Sequence, residues 1–147
     1  MLRQTQDLAI LIEDIVWQFS GKSFNEECCG NLSYGEYRAL YFIYQHGNIS
    51  ISELSEKLVL TKSGGTRLVN RLEEKEYAER KRNSRDGRVC CVGLTAKGEG
   101  MAQSLHQSFI SRIDNTLKTL DDPLRDVVIA GFKIFKKALS ENGENNI

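Results

Sequence analysis

The sequence predicts a mainly α-helical fold with one small β-hairpin, and three observations in residues 50–94 support this class. Two consecutive stretches place apolar residues at helical spacing. The pattern then changes to two short strand candidates. Between these strand candidates stands Asp86-Gly87, a dipeptide that favours a tight turn. The order helix, turn, helix, strand, loop, strand is that of a winged helix-turn-helix, and it makes nucleic-acid binding the leading hypothesis.

The first helix of this stretch has a start signal and one apolar face. Ser50 and Glu53 have the spacing of a capping box, in which each side chain accepts a hydrogen bond from the other residue's backbone amide. Ile51, Leu54 and Leu58 then fall on one helical face. We therefore expect a short helix that ends near Leu58.

The second helix carries polar side chains on the faces that the core does not use. Thr61 is its cap candidate, and Val69 and Leu72 continue the apolar stripe. The other faces carry Lys62, Thr66, Arg67, Asn70 and Arg71. This helix therefore offers hydrogen-bond donors to a partner.

The hairpin and the helix before it concentrate positive charge. The strand candidates run from Ala78 to Asn83 and from Arg88 to Leu94, with arginine at positions 82, 85 and 88. From Thr61 to Arg88 there are nine Lys/Arg against five Asp/Glu, whereas the rest of the chain carries eleven against fifteen. Because the charge is segregated in this way, the net charge of zero does not argue against a polyanionic partner.

Four segments together resemble the MarR family of bacterial and archaeal transcriptional regulators, and the resemblance covers nearly the whole chain. The segments are TKSGGTRLVNRLE at 61–73, YAER at 77–80, DGR at 86–88 and LTAKG at 94–98. The resemblance implies a homodimer that binds double-stranded DNA, with the second helix in the major groove and a wing arginine in the adjacent minor groove. Arg88 matches that arginine, and Asp86 matches the acidic residue that helps to brace the wing.

The resemblance and the charge pattern together assign DNA binding to Lys62, Ser63, Thr66, Arg67, Asn70, Arg71, Arg82, Ser84, Arg85 and Arg88. Thr66, Arg67 and Asn70 are the candidates for base contacts, because arginine pairs well with guanine and asparagine with adenine. The basic residues would neutralise phosphates, so affinity should fall steeply with salt. A two-fold dimer sets its two recognition helices ~34–36 Å apart, which predicts a short inverted repeat as the target. We expect a repressor that an effector releases from DNA.

One position departs from the family pattern. The family usually has a β-branched or other apolar residue where Gly65 stands, and here Gly64 and Gly65 are adjacent. Each glycine within a helix costs roughly 1 kcal/mol relative to alanine. We therefore expect either a late helix start or a first turn that orders only on DNA.

The chain, residues 1–147, is expected to form one domain, since this length with 40% hydrophobic content suffices for one core. The winged-helix lobe should span about 33–95, flanked by dimerisation helices at about 1–20 and 96–142. Ser33 and Glu36 form a second capping box, and Thr95 caps a long helix. Asp122-Pro123 supplies a cap and a proline at the first position of the last helix.

Both terminal regions carry broad apolar stripes. A helix over 5–19 aligns Leu8, Ile12, Ile15 and Phe19, and the last helix aligns Leu124, Val127, Val128, Phe132, Phe135 and Leu139 on the side expected to be buried. This is more apolar surface than a lone terminal helix would expose to water. An intertwined dimer interface is the favoured explanation, and a monomeric core is the alternative.

The sequence also disfavours several classes of protein. It has no cleavable signal pattern and no apolar run near the ~20 residues that a membrane span needs, so we expect a cytoplasmic protein. The histidines are His46 and His106, and no nucleotide-binding glycine loop or catalytic constellation is present, so we do not expect an enzyme. A winged helix used for protein contact or RNA binding is the alternative, which the retained wing arginines disfavour.

Four cysteines come as two adjacent pairs, Cys28-Cys29 and Cys90-Cys91. Neither pair is expected to form a disulfide, because the compartment is reducing and adjacent Cα atoms lie only ~3.8 Å apart, against ~4.4–6.8 Å in ordinary disulfides. On the second strand Cys90 should face inward with Val92 and Leu94, and Cys91 should face the other way.

Cys28 and Cys29 stand before a tyrosine-rich helix, in a region that resembles the effector-sensing part of the family. Two thiolates there could bind a soft ion such as Zn(II), Cu(I) or arsenite, or react with an oxidant. An organic anion or phenol bound between the dimerisation helices and the DNA-binding lobe is the alternative effector. No cofactor is expected to be required, and the identity of any metal stays open.

Overall fold

The structure is a computed structural model that describes residues 1–20, 32–82 and 89–144. These residues form six helices and two strands, in the order α1 (Leu2–Ser20), α2 (Tyr34–His46), α3 (Ile51–Lys57), α4 (Lys62–Glu74), β1 (Ala78–Arg82), β2 (Val89–Leu94), α5 (Ala96–Leu117) and α6 (Asp122–Glu144). The predicted class, mainly α with a β-hairpin wing, is confirmed.

Local capping fixes where the first helices of the lobe begin. At α2 the predicted capping box is complete, because Ser33 N donates to Glu36 Oε2 over 2.6 Å and Glu36 N donates to Ser33 Oγ over 3.3 Å. At α3 only half of the predicted capping box is present among the described residues: Ser50 Oγ accepts from Glu53 N over 3.1 Å, and Glu53 does not accept from Ser50 N in return. These bonds satisfy amides that a helix start otherwise leaves without a partner.

Of the two alternatives expected for the first turn of α4, the late start is wrong. Thr61 Oγ1 accepts from Gly64 N over 3.1 Å, and the helix begins at Lys62 despite its two glycines. The start of α6 also differs slightly from the prediction. Asp121 O accepts from Arg125 N over 2.9 Å, so the helix begins at Asp122 and Pro123 is its second residue rather than its first.

The two strands pair antiparallel, with Ala78 opposite Leu94 and Arg80 opposite Val92. A third segment, which the sequence pattern did not indicate, joins this hairpin at its base. Ile49 and Val92 exchange both backbone hydrogen bonds, at 3.1 and 2.8 Å. The wing is therefore anchored to the chain immediately before α3.

The described residues divide into two compact units, Met1–Ser108 and Phe109–Ile147. The core of the first unit includes almost fully buried side chains from α2, α3, α4, β2 and α5, among them Leu40, Ile43, Leu54, Val69, Leu72, Val92 and Leu105. Val69 and Leu72 belong to this core, as the apolar stripe predicted. Their burial leaves the polar faces of α4 directed outward.

The start of α5 is joined closely to the turn after α4. Thr95 Oγ1 accepts from Gly98 N over 3.0 Å and donates to Glu76 O over 2.6 Å, which confirms Thr95 as a cap. Gly98 is buried, and a Cβ at this position would lie 1.9 Å from Tyr77 O. Glycine is therefore the residue that permits this close approach.

The apolar side chains of the terminal helices are exposed on the single chain. In α1 they include Leu8, Ile15 and Trp17, and in α6 they include Leu124, Val127, Phe132, Phe135 and Leu139. The prediction that the α6 residues line a buried side is therefore not met within one chain. Among the described residues, no helix combines the length and apolar character that crossing a membrane requires.

The turn between α3 and α4 contains a strained residue. Val59 has φ 54°, and the bonds from Val59 N to Glu56 O and from Leu60 N to Ser55 O form the helix-ending motif in which glycine usually stands at this position. A β-branched residue is unfavourable with positive φ. The Val59 side chain is 91% exposed, so it contributes no packing in this chain.

Replacing Val59 with glycine is expected to raise the free energy of unfolding by about 1 kcal/mol, because relief of strain exceeds the entropy cost of glycine. Urea unfolding at a fixed protein concentration measures the change. Val59→Ala is the matched control, because it also removes the exposed side chain but keeps a Cβ. An equal gain in both variants would show that backbone strain is not the cause.

Candidate nucleic-acid interface

The outer face of α4 presents a row of polar and basic side chains. Lys62, Ser63, Arg67, Asn70 and Arg71 are exposed, as the helical pattern predicted. Thr66 is half-buried, and its hydroxyl donates to Lys62 O over 2.9 Å. The one hydrogen of the Thr66 hydroxyl is thus used inside the helix, and this hydroxyl can only accept a hydrogen bond from a partner.

The basic residues of this region divide into two groups. Lys62, Arg67, Arg71 and Arg82 are exposed and make no ion pair within the described part of the chain. Lys75 and Arg80, in contrast, are engaged in ion pairs inside the lobe. The first group forms an exposed positive surface suited to phosphates, and the second group holds the elements together.

Lys75 connects the end of α4 to the start of α2. Its Nζ lies 2.9 Å from each carboxylate oxygen of Glu36, whose side chain is only 4% exposed. Burial would raise the pKa of Glu36, but hydrogen bonds from Ser33 and Lys75, with the charge of Lys75, outweigh it and lower that pKa. The carboxylate therefore stays ionised in the folded protein and fixes the C-terminal end of α4.

Arg80 on β1 connects the wing to α4. Its backbone N donates to Glu73 Oε1 over 3.0 Å, its Nη1 donates to Glu73 Oε2, and its Nη2 donates to Asn70 Oδ1 over 2.7 Å. Sequence reasoning missed this arrangement. The sequence carried only a weak signal for it. Asn70 and Glu73 are three residues apart and therefore neighbours on the helix surface, and Arg80 follows shortly after the helix.

Gly65, the departure from the family pattern, has a packing reason. It is buried, and a Cβ at this position would lie 1.9 Å from Ser55 Oγ and 3.1 Å from Ser55 Cβ. The Ser55 hydroxyl is itself buried and donates to Ile51 O over 2.6 Å. The serine on α3 thus occupies the space that a side chain on α4 would need.

Several predicted site residues lie outside the described residues. These are the wing residues Ser84, Arg85, Asp86 and Arg88 and the cysteines Cys28 and Cys29. On β2, Val92 is buried and Cys91 is half-buried. The side chain of Cys90, which was predicted to face inward, is not among those that the structure describes. Within residues 1–20, 32–82 and 89–144, no three His, Cys, Asp or Glu side chains are grouped as metal ligands.

His106, which the sequence left without a role, packs on α2. Its ring stacks on that of Tyr41 with centroids 4.0 Å apart, and its Nε2 lies 2.8 Å from Tyr41 Oη. Its Nδ1 is buried and has no hydrogen-bond partner in the described residues. This pair joins the tyrosine-rich face of α2 to α5.

The described lobe thus has the architecture of a winged-helix regulator, with an exposed basic helix beside a two-stranded wing. Comparison with known proteins agrees, because the MarR family model matches residues 31–89. The regulator BilQ of Clostridioides difficile is 30% identical over 117 residues, which cover 78% of this chain and 77% of that protein. The chain belongs to the MarR family of transcriptional regulators.

A second relative matches over a shorter stretch of the chain, and a solved structure matches over almost all of it. YwhA of Bacillus subtilis, an HTH-type transcriptional regulator, is 31% identical over 81 residues, which cover 55% of this chain and 58% of that protein. FabT of Streptococcus pneumoniae, whose structure was determined in complex with DNA, superposes with a TM-score of 0.81 at 22% identity and covers 96% of this chain and 99% of FabT. The second likeness establishes a shared fold.

Proposed function

We propose that this protein is a sequence-specific DNA-binding regulator in which α4 enters the major groove. The observation that carries this proposal is the exposed set of Lys62, Arg67 and Arg71 on a helix whose opposite face is locked into the core. These three cations make no ion pair with another described residue, so their charge is available to a polyanion, and binding of such cations releases the counterions of DNA. The shared fold of FabT, which was solved in complex with DNA, supports DNA as the partner of this lobe.

A homodimer accounts for the exposed apolar residues of α1 and α6. Leu8 and Trp17 in α1, and Val127 and Phe132 in α6, are large side chains exposed on the single chain. Burying such surface against a second copy is favourable by about 25 cal/mol per Å². Two copies related by a two-fold axis would bind a short inverted repeat. The protein would act in the cytoplasm, where occupation of that repeat by the dimer would repress transcription.

An effector would release the dimer from DNA. Cys28 and Cys29 are the proposed sensors for an oxidant or a thiophilic metal, with an organic anion or phenol as the alternative. The choice can be made by adding each compound to DNA complexes of the unaltered protein and of a Cys28→Ser/Cys29→Ser variant. Release that survives in the variant would assign the effector to another site.

The proposed DNA contacts lead to a direct test with Arg71→Ala. In each protomer this change removes one phosphate contact, so the slope of log affinity against log salt should fall by about 2 per dimer, and binding should weaken about tenfold at physiological salt. The unaltered protein first selects duplexes from genomic fragments, which include the region upstream of its own gene. The affinity of each variant is then measured on the selected duplexes. Arg88→Ala tests the wing in the same assay and should cost about 1–3 kcal/mol.

Lys136→Ala is the matched control, because Lys136 is an exposed cation on α6, outside the winged helix. It should leave both slope and affinity unchanged. Equal losses for Arg71→Ala and Lys136→Ala would show that α4 has no special role. The absence of selective duplex binding by the unaltered protein at any salt concentration would favour protein contact or RNA binding instead.

A further inference from the structure

The side-chain amide of Asn70 is held in one orientation. Arg80 Nη2 lies 2.7 Å from the Asn70 side chain and donates to it. A guanidinium carries donors and no acceptor, so the amide atom that faces it must be the oxygen Oδ1. The amide nitrogen Nδ2 then takes the remaining position. Asn70 is exposed on the outer face of α4, where Nδ2 has no hydrogen-bond partner among the described residues.

Arg80 cannot follow a rotation of Asn70, because Glu73 holds it at two points. Glu73 accepts from the backbone N of Arg80 over 3.0 Å and from its Nη1. Both side chains are largely shielded, at 28% exposure for Arg80 and 26% for Glu73. Arg80 also sits opposite the fully buried Val92 in the hairpin register. A charge-assisted, two-point contact of this kind is geometrically specific.

We propose that Arg80 is a positioning residue for base recognition, which turns Asn70 so that its Nδ2 reads guanine in the major groove. This inference rests on the proposed function. Nδ2 carries two hydrogens, and guanine is the base that presents two neighbouring acceptors, N7 and O6, on its major-groove edge. Residue type alone suggested adenine for this asparagine, and the contact with Arg80 changes that assignment.

Adenine is disfavoured for an electrostatic reason. The usual asparagine–adenine pair needs Oδ1 to accept from the adenine N6 amino group while Nδ2 donates to N7. Here Oδ1 already accepts from a cation, and the positive charge of the guanidinium repels the partly positive N6–H that would approach the second lone pair. If the exposed Nδ2 of Asn70 met the adenine N6 amino group directly, two hydrogen-bond donors would face each other, which is unfavourable.

The test measures base preference at one position of each half-site. Duplexes are selected with the full-length unaltered protein, and Asn70→Ala then identifies the base pair whose preference depends on Asn70. We expect G·C at that pair, favoured over A·T by about tenfold. In Arg80→Met the ratio should fall to within about twofold, because the freed amide can also pair with adenine.

Arg82→Met is the matched control, since Arg82 is an exposed arginine at the end of the same strand. It should lower affinity for all duplexes alike and leave the tenfold preference intact. A merely structural role of Arg80 would likewise weaken binding evenly, so only a change of preference at the one pair supports positioning.

Two results would overturn the inference while leaving the proposed function in place. One is a preference for A·T at the Asn70-dependent pair, and the other is an unchanged preference in a folded Arg80→Met protein. If circular dichroism shows that Arg80→Met does not fold, the base preferred by the unaltered protein at the Asn70-dependent pair decides the question. Failure of the unaltered protein to select any duplex would instead overturn the proposed function, and this inference with it.

Discussion

Gly98→Ala is expected to lower the free energy of unfolding by about 3 kcal/mol, the upper end of the usual cost of overpacking. The added Cβ would lie 1.9 Å from Tyr77 O and 2.8 Å from Tyr77 C. These are backbone atoms that also accept and position the bond from Thr95 N at 3.1 Å, so they cannot move without disturbing the start of α5. Urea unfolding monitored by circular dichroism, at one protein concentration, measures the loss.

Gly100→Ala provides the control on the same helix. Gly100 is exposed, and a Cβ there would meet no atom within 4 Å. Alanine is favoured over glycine inside a helix, so this variant should gain about 0.5–1 kcal/mol. Similar behaviour of the two variants would contradict the steric explanation for Gly98.

Lys75→Met is expected to destabilise the protein by about 2–3 kcal/mol, because it leaves a buried carboxylate without its counter-charge. The expected loss is below the full cost for a buried pair for two reasons. Lys75 is 26% exposed, and Glu36 keeps its hydrogen bond from Ser33 N. Thermal or urea unfolding measures the loss, and DNA affinity should fall with it because Lys75 fixes the end of α4.

Two controls separate charge burial from the simple loss of a lysine. Lys118→Met breaks an exposed pair with Asp114, 66% and 55% exposed, and should cost less than about 1 kcal/mol. Glu36→Gln combined with Lys75→Met removes both charges and should recover part of the loss. A Lys118→Met effect as large as that of Lys75→Met would show that burial of Glu36 is not the cause.

The same ion pair gives a pH dependence of known sign. The pKa of Glu36 is lower in the folded protein than in the unfolded chain, so the unfolded chain binds the proton more readily. The stabilisation is therefore complete above the ordinary glutamate pKa of about 4.5 and is lost as the pH falls through the lower folded value. Glu36→Gln should flatten this part of the stability profile.

Features that depend on a few neighbouring residues could be predicted from the sequence. The caps at Ser33, Ser50, Thr61 and Thr95 act within a single turn, and the structure places all four as expected. The exposed face of α4 likewise follows from the spacing of Val69 and Leu72. These outcomes depend on residues that are close together in the chain.

Features that depend on residues distant in the chain could not be predicted. The pairing of Ile49 with Val92 and the contact of Lys75 with Glu36 each require the folded arrangement of separate elements. The role of Arg80 depends on the register of the hairpin, which brings its guanidinium back to Asn70. The candidate surface was thus predictable as a face of a helix, whereas the orientation of its side chains was not.

The fit between Ser55 and Gly65 constrains the order in which this sequence could have changed during evolution. Alanine at position 65 would meet Ser55 Oγ at 1.9 Å, so a chain that acquires it first passes through a destabilised intermediate. Loss of the serine hydroxyl first leaves only the milder 3.1 Å approach to Cβ. Descendants that acquire a larger residue at position 65 are therefore expected to have changed position 55 beforehand.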